Sequence, residues 1–390
     1  MANKDGHRRF GNVRKLPSGR FQIRYPGPDG RLRPGKDTYP DKKSAERALS
    51  LIESQMITGD WTDPQRGKVT LQVYAEKWIA ERPNLRARTV ELYRWLLAKH
   101  IGPYIGRVAV GKISPEMVRE WRAELLGNGV SVSATAKAYR LLRAVLMTAT
   151  EDRIIPRNPC RIRGGGDEKP AERAVLTVIQ VFELAELVKN RRFRGLVLLV
   201  TFASLRWGEA IALRRCDVDL EVRTVSVRRQ YVELTGQLVL GPPKSRASTR
   251  TVSIPRAIVP ALREHIDTYA GPDETSLLFT GPRGGVLRRG NFRRAAGWAT
   301  AVDKIGFPGL HFHDLRHTGN MLAAPGASLA DLKARMGHDS ARAAMIYQHA
   351  TAEADQLIAD ALDRRIAGAG KAINRGSDDD GPTGALAKTG

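Results

Sequence analysis

His313-Asp314-Leu315-Arg316-His317 is the loudest signal in this chain, and Gly337-His338 and Tyr347 follow it. Five of the eight histidines in the 390 residues fall between His311 and His349. Histidine titrates near neutrality, and arginine keeps its charge at any relevant pH. Gathered upstream of a lone tyrosine, these groups are the parts needed to hold a phosphate and move protons around it. Arg316 follows His313 by three residues in a helix-like stretch, so the two side chains share one face.

Breaking a phosphodiester without a metal needs fixed positive charge on the non-bridging oxygens, a nucleophile, and an acid for the leaving oxygen. A zinc site at His311, His313 and His317 finds no supporting cysteine or carboxylate arrangement, and no cofactor is expected. Arginine can supply the charge, because its planar fork holds two phosphate oxygens at once. Arg206 follows an apolar helix pattern, Leu196-Val-Leu-Leu-Val-Thr-Phe-Ala-Ser-Leu205, and precedes Trp207-Gly208-Glu209. It emerges from buried core, so it must be paired there with a carboxylate such as Glu209 or with a bound anion.

The whole composition agrees with an anionic partner. Lys+Arg number 64 against 41 Asp+Glu, a formal charge of +23, while 42% hydrophobic and 27% charged residues give a folded, soluble balance. Charge alone also suits a ribosomal or membrane-surface protein. Cys160 and Cys216 stand far apart and imply neither a disulfide framework nor a thiolate metal site. The N-terminus lacks an apolar leader, and no run approaches the roughly 18 apolar residues of a membrane span, so a cytoplasmic protein with no membrane partner is expected.

The length predicts two or three domains. Over 1–65, Phe21, Ile23 and Tyr25 alternate against Gln22 and Arg24, a turn stands at Gly27-Pro-Asp-Gly30, and a helix is predicted from about Asp41 to Ile57. Residues 1–70 carry 15 Lys+Arg and 8 Asp+Glu, a net +7, so this small sheet-plus-helix unit reads as a DNA-reading sheet that includes Arg24, or as a solvated cap. From 70 to 163 the pattern is helical throughout, with Val90, Tyr93 and Leu97, and Val118, Trp121 and Leu125, at helical spacing. Ser114-Pro115-Glu116 predicts one helix start and Ser133 another. Downstream of Ser133, Lys137, Arg140 and Arg143 recur every three residues and form a face available to phosphates, or simply a solvated basic face.

Three glycines and a proline make 164–171 a linker. The rest, 172–367, mixes helices with strands expected around Thr224–Val232, Gln237–Leu240 and Thr251–Ile254, a mainly helical α+β class. An amphipathic helix is predicted through Leu357, Ile358, Ala361, Leu362 and Ile366, and a disordered tail over 368–390.

Leu205-Arg206-Trp207-Gly208-Glu209-Ala210, Lys244-Ser245 with Ser248, Arg250, Val252 and Pro255, His313-Asp-Leu-Arg316-His317-Thr318, Met336-Gly337-His338, and Tyr347 with His349 together resemble the tyrosine recombinases, specifically phage-type integrases. The match covers roughly 172–350. The small basic N-terminal unit resembles the arm-site binding domain of such integrases, and 70–163 their helical core-binding domain.

That resemblance implies a site-specific DNA recombinase serving a phage or another mobile element, assembled as a homotetramer on double-stranded DNA attachment sites, with accessory DNA-bending or directionality proteins as further partners. It implies Tyr347 as nucleophile, forming a 3′-phosphotyrosyl link. Arg206, Arg316 and His338 hold the transition state, Lys244 acts as general acid for the 5′ oxygen, and His313 assists proton transfer or orientation. His311, His317 and His349 are expected to support the site, and Glu209 to orient Arg206. Met336 stands where the family usually has leucine, a volume-conserving change. Gly319 stands where phenylalanine is common, which is expected to loosen local packing. The competing readings are a type IB topoisomerase-like enzyme, against which the separate basic N-terminal unit argues, and a DNA-binding protein that kept the fold without the chemistry.

Overall fold

The computed structural model describes residues 10–27, 30–59, 61–63, 65–168, 173–325, 327–337 and 345. His338, Tyr347, His349, the helix expected near 357–366 and the tail therefore lie outside the described residues. Contacts divide the chain into two units, Met1–Ala171 and Glu172–Gly390.

The first unit opens with an antiparallel sheet, β1 (Asn12–Lys15), β2 (Phe21–Pro26) and β3 (Leu32–Tyr39), followed by α1 (Lys42–Thr58). The alternation in β2 decides its packing. Ile23 and Tyr25 are buried against Ala45 and Leu49 of α1, so Arg24, between them, stands on the opposite face of the sheet. Asp41 caps α1 by accepting from the Ser44 amide at 2.7 Å.

Helices α2 (Leu71–Ala80), α3 (Ala87–Leu96), α4 (Gly102–Ile105), α5 (Pro115–Gly127) and α6 (Val132–Glu151) then form a separate core, with Val118, Trp121 and Leu125 of α5 facing α6 residues such as Leu142 and Val145. A π-helical turn, Leu97–Ile101, joins α3 to α4, and the Trp121 indole donates to the His100 carbonyl inside it at 2.7 Å. Ser114 caps α5 as its sequence predicts. The start of α6 differs from the expectation: Ser131, in extended geometry, is the cap, and Ser133 lies inside the first turn with its hydroxyl turned to Glu168. Part of the glycine-rich stretch is docked rather than free, because residues 164–168 make turns that lie against Tyr139 and Arg140 of α6.

The second unit is helical around two small sheets. Its helices are α7 (Val178–Leu187), α8 (Arg194–Phe202), α9 (Trp207–Ala210), α10 (Val259–Tyr269), α11 (Arg289–Ala295), α12 (Trp298–Lys304), α13 (Phe312–Ala323) and α14 (Leu329–Met336). Strands β4 (Val218–Asp219), β5 (Thr224–Val227) and β8 (Arg250–Ser253) form one sheet, and β6 (Gln230–Leu234) with β7 (Gln237–Gly241) forms a hairpin. The single strand expected over Thr224–Val232 is thus two strands in different sheets. The break falls at Arg228-Arg229, where Arg229 Nε turns to donate to the Ala212 carbonyl at 2.9 Å.

Residues 195–201 of α8 are all buried, so this helix is the axle of the unit, as its all-round apolar sequence requires. It packs directly on α13. A Cβ at Gly319 would fall 1.8 Å from the Thr201 carbonyl oxygen, so no side chain fits there. Glycine at 319 brings two backbones together, and the loosening expected from it is corrected to the opposite. Among the described residues no helix is long and apolar enough to cross a membrane.

Candidate active site

Aromatic packing sets Arg206 and His313 in register. Trp207, the residue after Arg206, meets the ring of Phe312, the residue before His313, edge-on at 4.9 Å, and both rings pack against Phe292. Arg206 caps α9 and Phe312 opens α13, so one core contact fixes where both chemical residues leave their helices.

Glu209 is fully buried and holds the cluster together. One carboxylate oxygen accepts from Arg206 Nη1 at 2.7 Å; the other accepts from the Arg206 amide at 2.9 Å and from Arg250 Nη2 at 3.1 Å, with Arg316 Nη1 at 3.8 Å. Burial alone would raise this carboxyl, but Arg250, Arg206 and Arg316 overcome it and hold it below its ordinary value. The expectation that Glu209 pairs with Arg206 is met, with two further arginines sharing the same carboxylate.

The second set of acceptors is the C-terminal end of α8. Ser204 sits at φ 53°, a left-handed conformation that costs a non-glycine residue on the order of 1 kcal/mol. Its carbonyl accepts from Arg250 Nη2 at 3.3 Å and from Arg316 Nη1, and the carbonyl of Phe202 accepts from Arg335 Nη2. The helix dipole places partial negative charge at this end, which suits a crowd of guanidiniums. Four arginines, Arg206, Arg250, Arg316 and Arg335, are thereby collected around one carboxylate and one helix end.

The third set is the end of α14. Arg206 Nη2 donates to the Gly337 carbonyl at 3.1 Å, Arg316 Nη2 donates to the preceding carbonyl of Met336, and Ser248, buried, receives Arg206 Nη1 at 3.1 Å. Gly337 caps α14 in the left-handed region, and a Cβ there would lie 3.0 Å from Ala247 O, Ser248 Cα and Arg250 Nη1. Glycine is required by both conformation and contact. The backbone just before His338 is therefore pinned by the two arginines singled out in the sequence.

His313 stands in the first turn of α13 and is exposed. Desolvation by the surrounding protein and the neighbouring charges of Arg316 and Arg173 push its pKa down to about 4, against a smaller lift from Asp314. The ring is therefore neutral at pH 7. His317, half-buried, is lowered by burial and then by Arg173. Arg173 pairs with Asp314 at 3.0 Å and lies beside both histidines. Lys244 is exposed in the segment between β7 and β8. The structure brings Arg206, Arg316 and Glu209 into direct contact and sets His313 on the same helix as Arg316. His338 and Tyr347 lie outside the described residues.

Arg250, Ser248, Arg335, Ser204 and Arg173 are site residues that the sequence did not single out for chemistry. Arg250 and Ser248 were visible as part of the quoted pattern. Arg335 reads as one more charge on an amphipathic helix, and a serine's backbone angle has no signature in composition. Of the residues expected to meet phosphates, Arg24 stands on the open face of β2, Arg143 is exposed on α6, and Lys137 and Arg140 pair with Glu168.

Three family models match the chain: "Phage integrase, N-terminal domain" over 9–59, "Phage integrase, N-terminal SAM-like domain" over 70–126, and "Phage integrase family" over 175–354. A prophage phiRv2 integrase of Mycobacterium tuberculosis is 34% identical over 372 residues, covering 93% of this chain and 98% of that protein. The integrase of Mycobacterium phage D29 is 37% identical over 368 residues, covering 90% and 96%. Among solved structures, the Tn1549 transposon integrase in complex with a circular intermediate DNA superposes with TM-score 0.65 at 21% identity, covering 75% of this chain and 99% of that one. A lambda integrase tetramer bound to a Holliday junction gives TM-score 0.53 at 18% identity, covering 88% and 96%. Those structures share the fold, and the relatives align over almost their whole length; the chain belongs to the phage integrase family and is a tyrosine-type site-specific DNA recombinase.

Proposed function

We propose that this recombinase cleaves and rejoins double-stranded DNA through Tyr347, for integration or excision of a mobile element. The Tyr347 oxygen attacks the scissile phosphorus, a 3′-phosphotyrosyl bond forms, and the bond to the 5′ oxygen breaks. Lys244 delivers a proton to that leaving oxygen. The tyrosine proton passes to a neutral acceptor, a part open to His313, which is unprotonated at pH 7. One phosphodiester is exchanged for another, so no nucleotide cofactor is consumed. Arg206, Arg316 and His338 stabilise the charge that grows on the non-bridging oxygens.

What supports the reading is one observation: Arg206 and Arg316, distant in sequence, share the Glu209 carboxylate and donate to successive carbonyls immediately before His338. The proposed organisation is an arm-site binding domain over 1–65, a core-binding domain over 70–163 and a catalytic domain over 172–367. By analogy with the lambda integrase tetramer on a Holliday junction, the chain assembles as a tetramer on its sites; accessory DNA-bending or directionality proteins are further partners of the proposed reaction. The test is a nicked suicide duplex carrying the cognate site. Wild type should be trapped as a covalent adduct and Tyr347→Phe should not. No adduct with wild type refutes the enzymatic reading, and an adduct with Tyr347→Phe refutes the nucleophile.

A further inference from the structure

Glu168 sits in a set of donors that the catalytic site does not use. One of its oxygens accepts from Arg140 Nη2; the other accepts from Ser133 Oγ and lies 3.3 Å from Lys137 Nζ. Lys137 also donates to Ser133 Oγ at 2.8 Å, and Arg140 Nη1 donates to the Gly166 carbonyl at 2.7 Å. Both carboxylate oxygens are thus held by a guanidinium, an ammonium and a hydroxyl from successive turns of α6. These are the groups that proteins use to grip the non-bridging oxygens of a DNA phosphate.

The chain takes trouble to put a carboxylate there. Gly165 and Gly166 lie flat on the helix: a Cβ on Gly165 would be 3.0 Å from the Tyr139 ring, and one on Gly166 would be 2.8 Å from Arg140 Cγ. The Tyr139 hydroxyl accepts from the Ile162 amide at 2.8 Å and fixes the start of the same stretch. Ser133, Arg140 and Lys137 together pull the Glu168 carboxyl down to about 2, so it is ionised across the working pH range.

We propose that the Ser133, Lys137 and Arg140 face of α6 is a binding site for a DNA backbone phosphate, and that Glu168 occupies it as an internal stand-in that DNA must displace. The proposal rests on the reading of the chain as a DNA recombinase. DNA is favoured over an acidic protein segment because the face continues one turn further through the exposed Arg143 and the chain as a whole carries +23. Tethering gives Glu168 a high effective concentration, whereas a duplex gains from the counterions it sheds on binding. The contest is therefore graded by salt: the internal carboxylate wins at high ionic strength and the duplex at low.

The test uses the full chain and a fluorescent DNA duplex of arbitrary sequence, with binding read by anisotropy across a salt series. Glu168→Gln should tighten binding by about threefold to tenfold, the weight of one or two exposed ion pairs that no longer compete. Lys137→Ala with Arg140→Ala should weaken it, and adding Glu168→Gln to that background should change nothing further. If Glu168→Gln binds as wild type while the double variant is weaker, the stand-in is overturned. If the double variant binds as wild type, the phosphate site itself is overturned. An acidic peptide that competes with wild type as well as the duplex does would overturn the assignment to DNA. Failure of the recombinase reading would appear elsewhere, as absence of the Tyr347 adduct on a cognate suicide duplex.

Discussion

Arg206 Nη2 donates to the carbonyl of Gly337 at 3.1 Å, tying the start of α9 to the end of α14 across 131 residues of sequence. The same guanidinium reaches Glu209 and Ser248 through Nη1. One planar group thus sets the position of its own carboxylate partner and of the backbone that leads to His338.

Lysine cannot reproduce that fork. Arg206→Lys should lower the single-turnover cleavage rate by about 100- to 1000-fold, the scale of losing one preorganised charge donor. Duplex affinity should stay within about threefold of wild type, because many other phosphate contacts carry it. Equal losses in rate and affinity would count against a catalytic role.

Glu209→Gln leaves Arg250 and Arg316, whose side chains are 6% and 4% exposed, without their counter-charge. Breaking a buried pair by removing one partner costs about 3–5 kcal/mol. The thermal unfolding transition of the catalytic unit should fall accordingly. Because the carboxyl is held below its unfolded value, wild-type stability is full above the ordinary carboxylate range and is lost as pH falls through the folded value. The variant should lack that acid limb, and an unchanged acid profile would dismiss Glu209 as the organising charge.

His313 depends on pH in the same sense. Its folded pKa lies at about 4, below the ordinary 6.5, so the unfolded chain binds the extra proton first. Its contribution to stability is present above 6.5 and declines as pH falls from there towards 4. The imidazole proton signals of His313 followed by NMR through this range should shift well below neutrality. A midpoint at the ordinary value would remove the case for a neutral ring in the site.

Lys244→Ala should slow cleavage of an ordinary substrate, whereas Arg246→Ala, two residues on, should not. Replacing the bridging 5′ oxygen with sulfur supplies a leaving group that needs no proton, so it should restore cleavage by Lys244→Ala. A defect that persists with the sulfur substrate would assign Lys244 to binding rather than to acid catalysis.

Much of this was legible in the sequence, and the reason is local. The Asp41 cap, the Ser114-Pro115 start of α5, the all-round apolar α8 and the Arg206–Glu209 pair each depend on residues within a turn or two of one another. What was hidden depends on partners far along the chain. Nothing in Thr224–Val232 announces the corner that Arg229 makes by reaching Ala212, and nothing in Ser133 says that its hydroxyl belongs to Glu168 rather than to a helix cap. Arg335 is similar: an ordinary charge on α14 by pattern, it is mostly buried against carbonyls of α8 and β8.

Gly319→Ala should destabilise the fold by about 2 kcal/mol or more, since the added methyl has no space and the helices must part. A melting temperature equal to wild type would mean that α8 and α13 can slide.

That contact also bears on how the enzyme meets its substrate. Where main chain touches main chain there is no rotamer to adjust, so Arg316 inherits its position from the innermost helix of the unit and not from the strand it acts on. With that position fixed by the fold, adjustment between Arg316 and a duplex bound under the proposed function falls to the DNA. Under the proposed function, selectivity for an attachment site would then include the ease with which that DNA deforms, at base pairs the protein never touches.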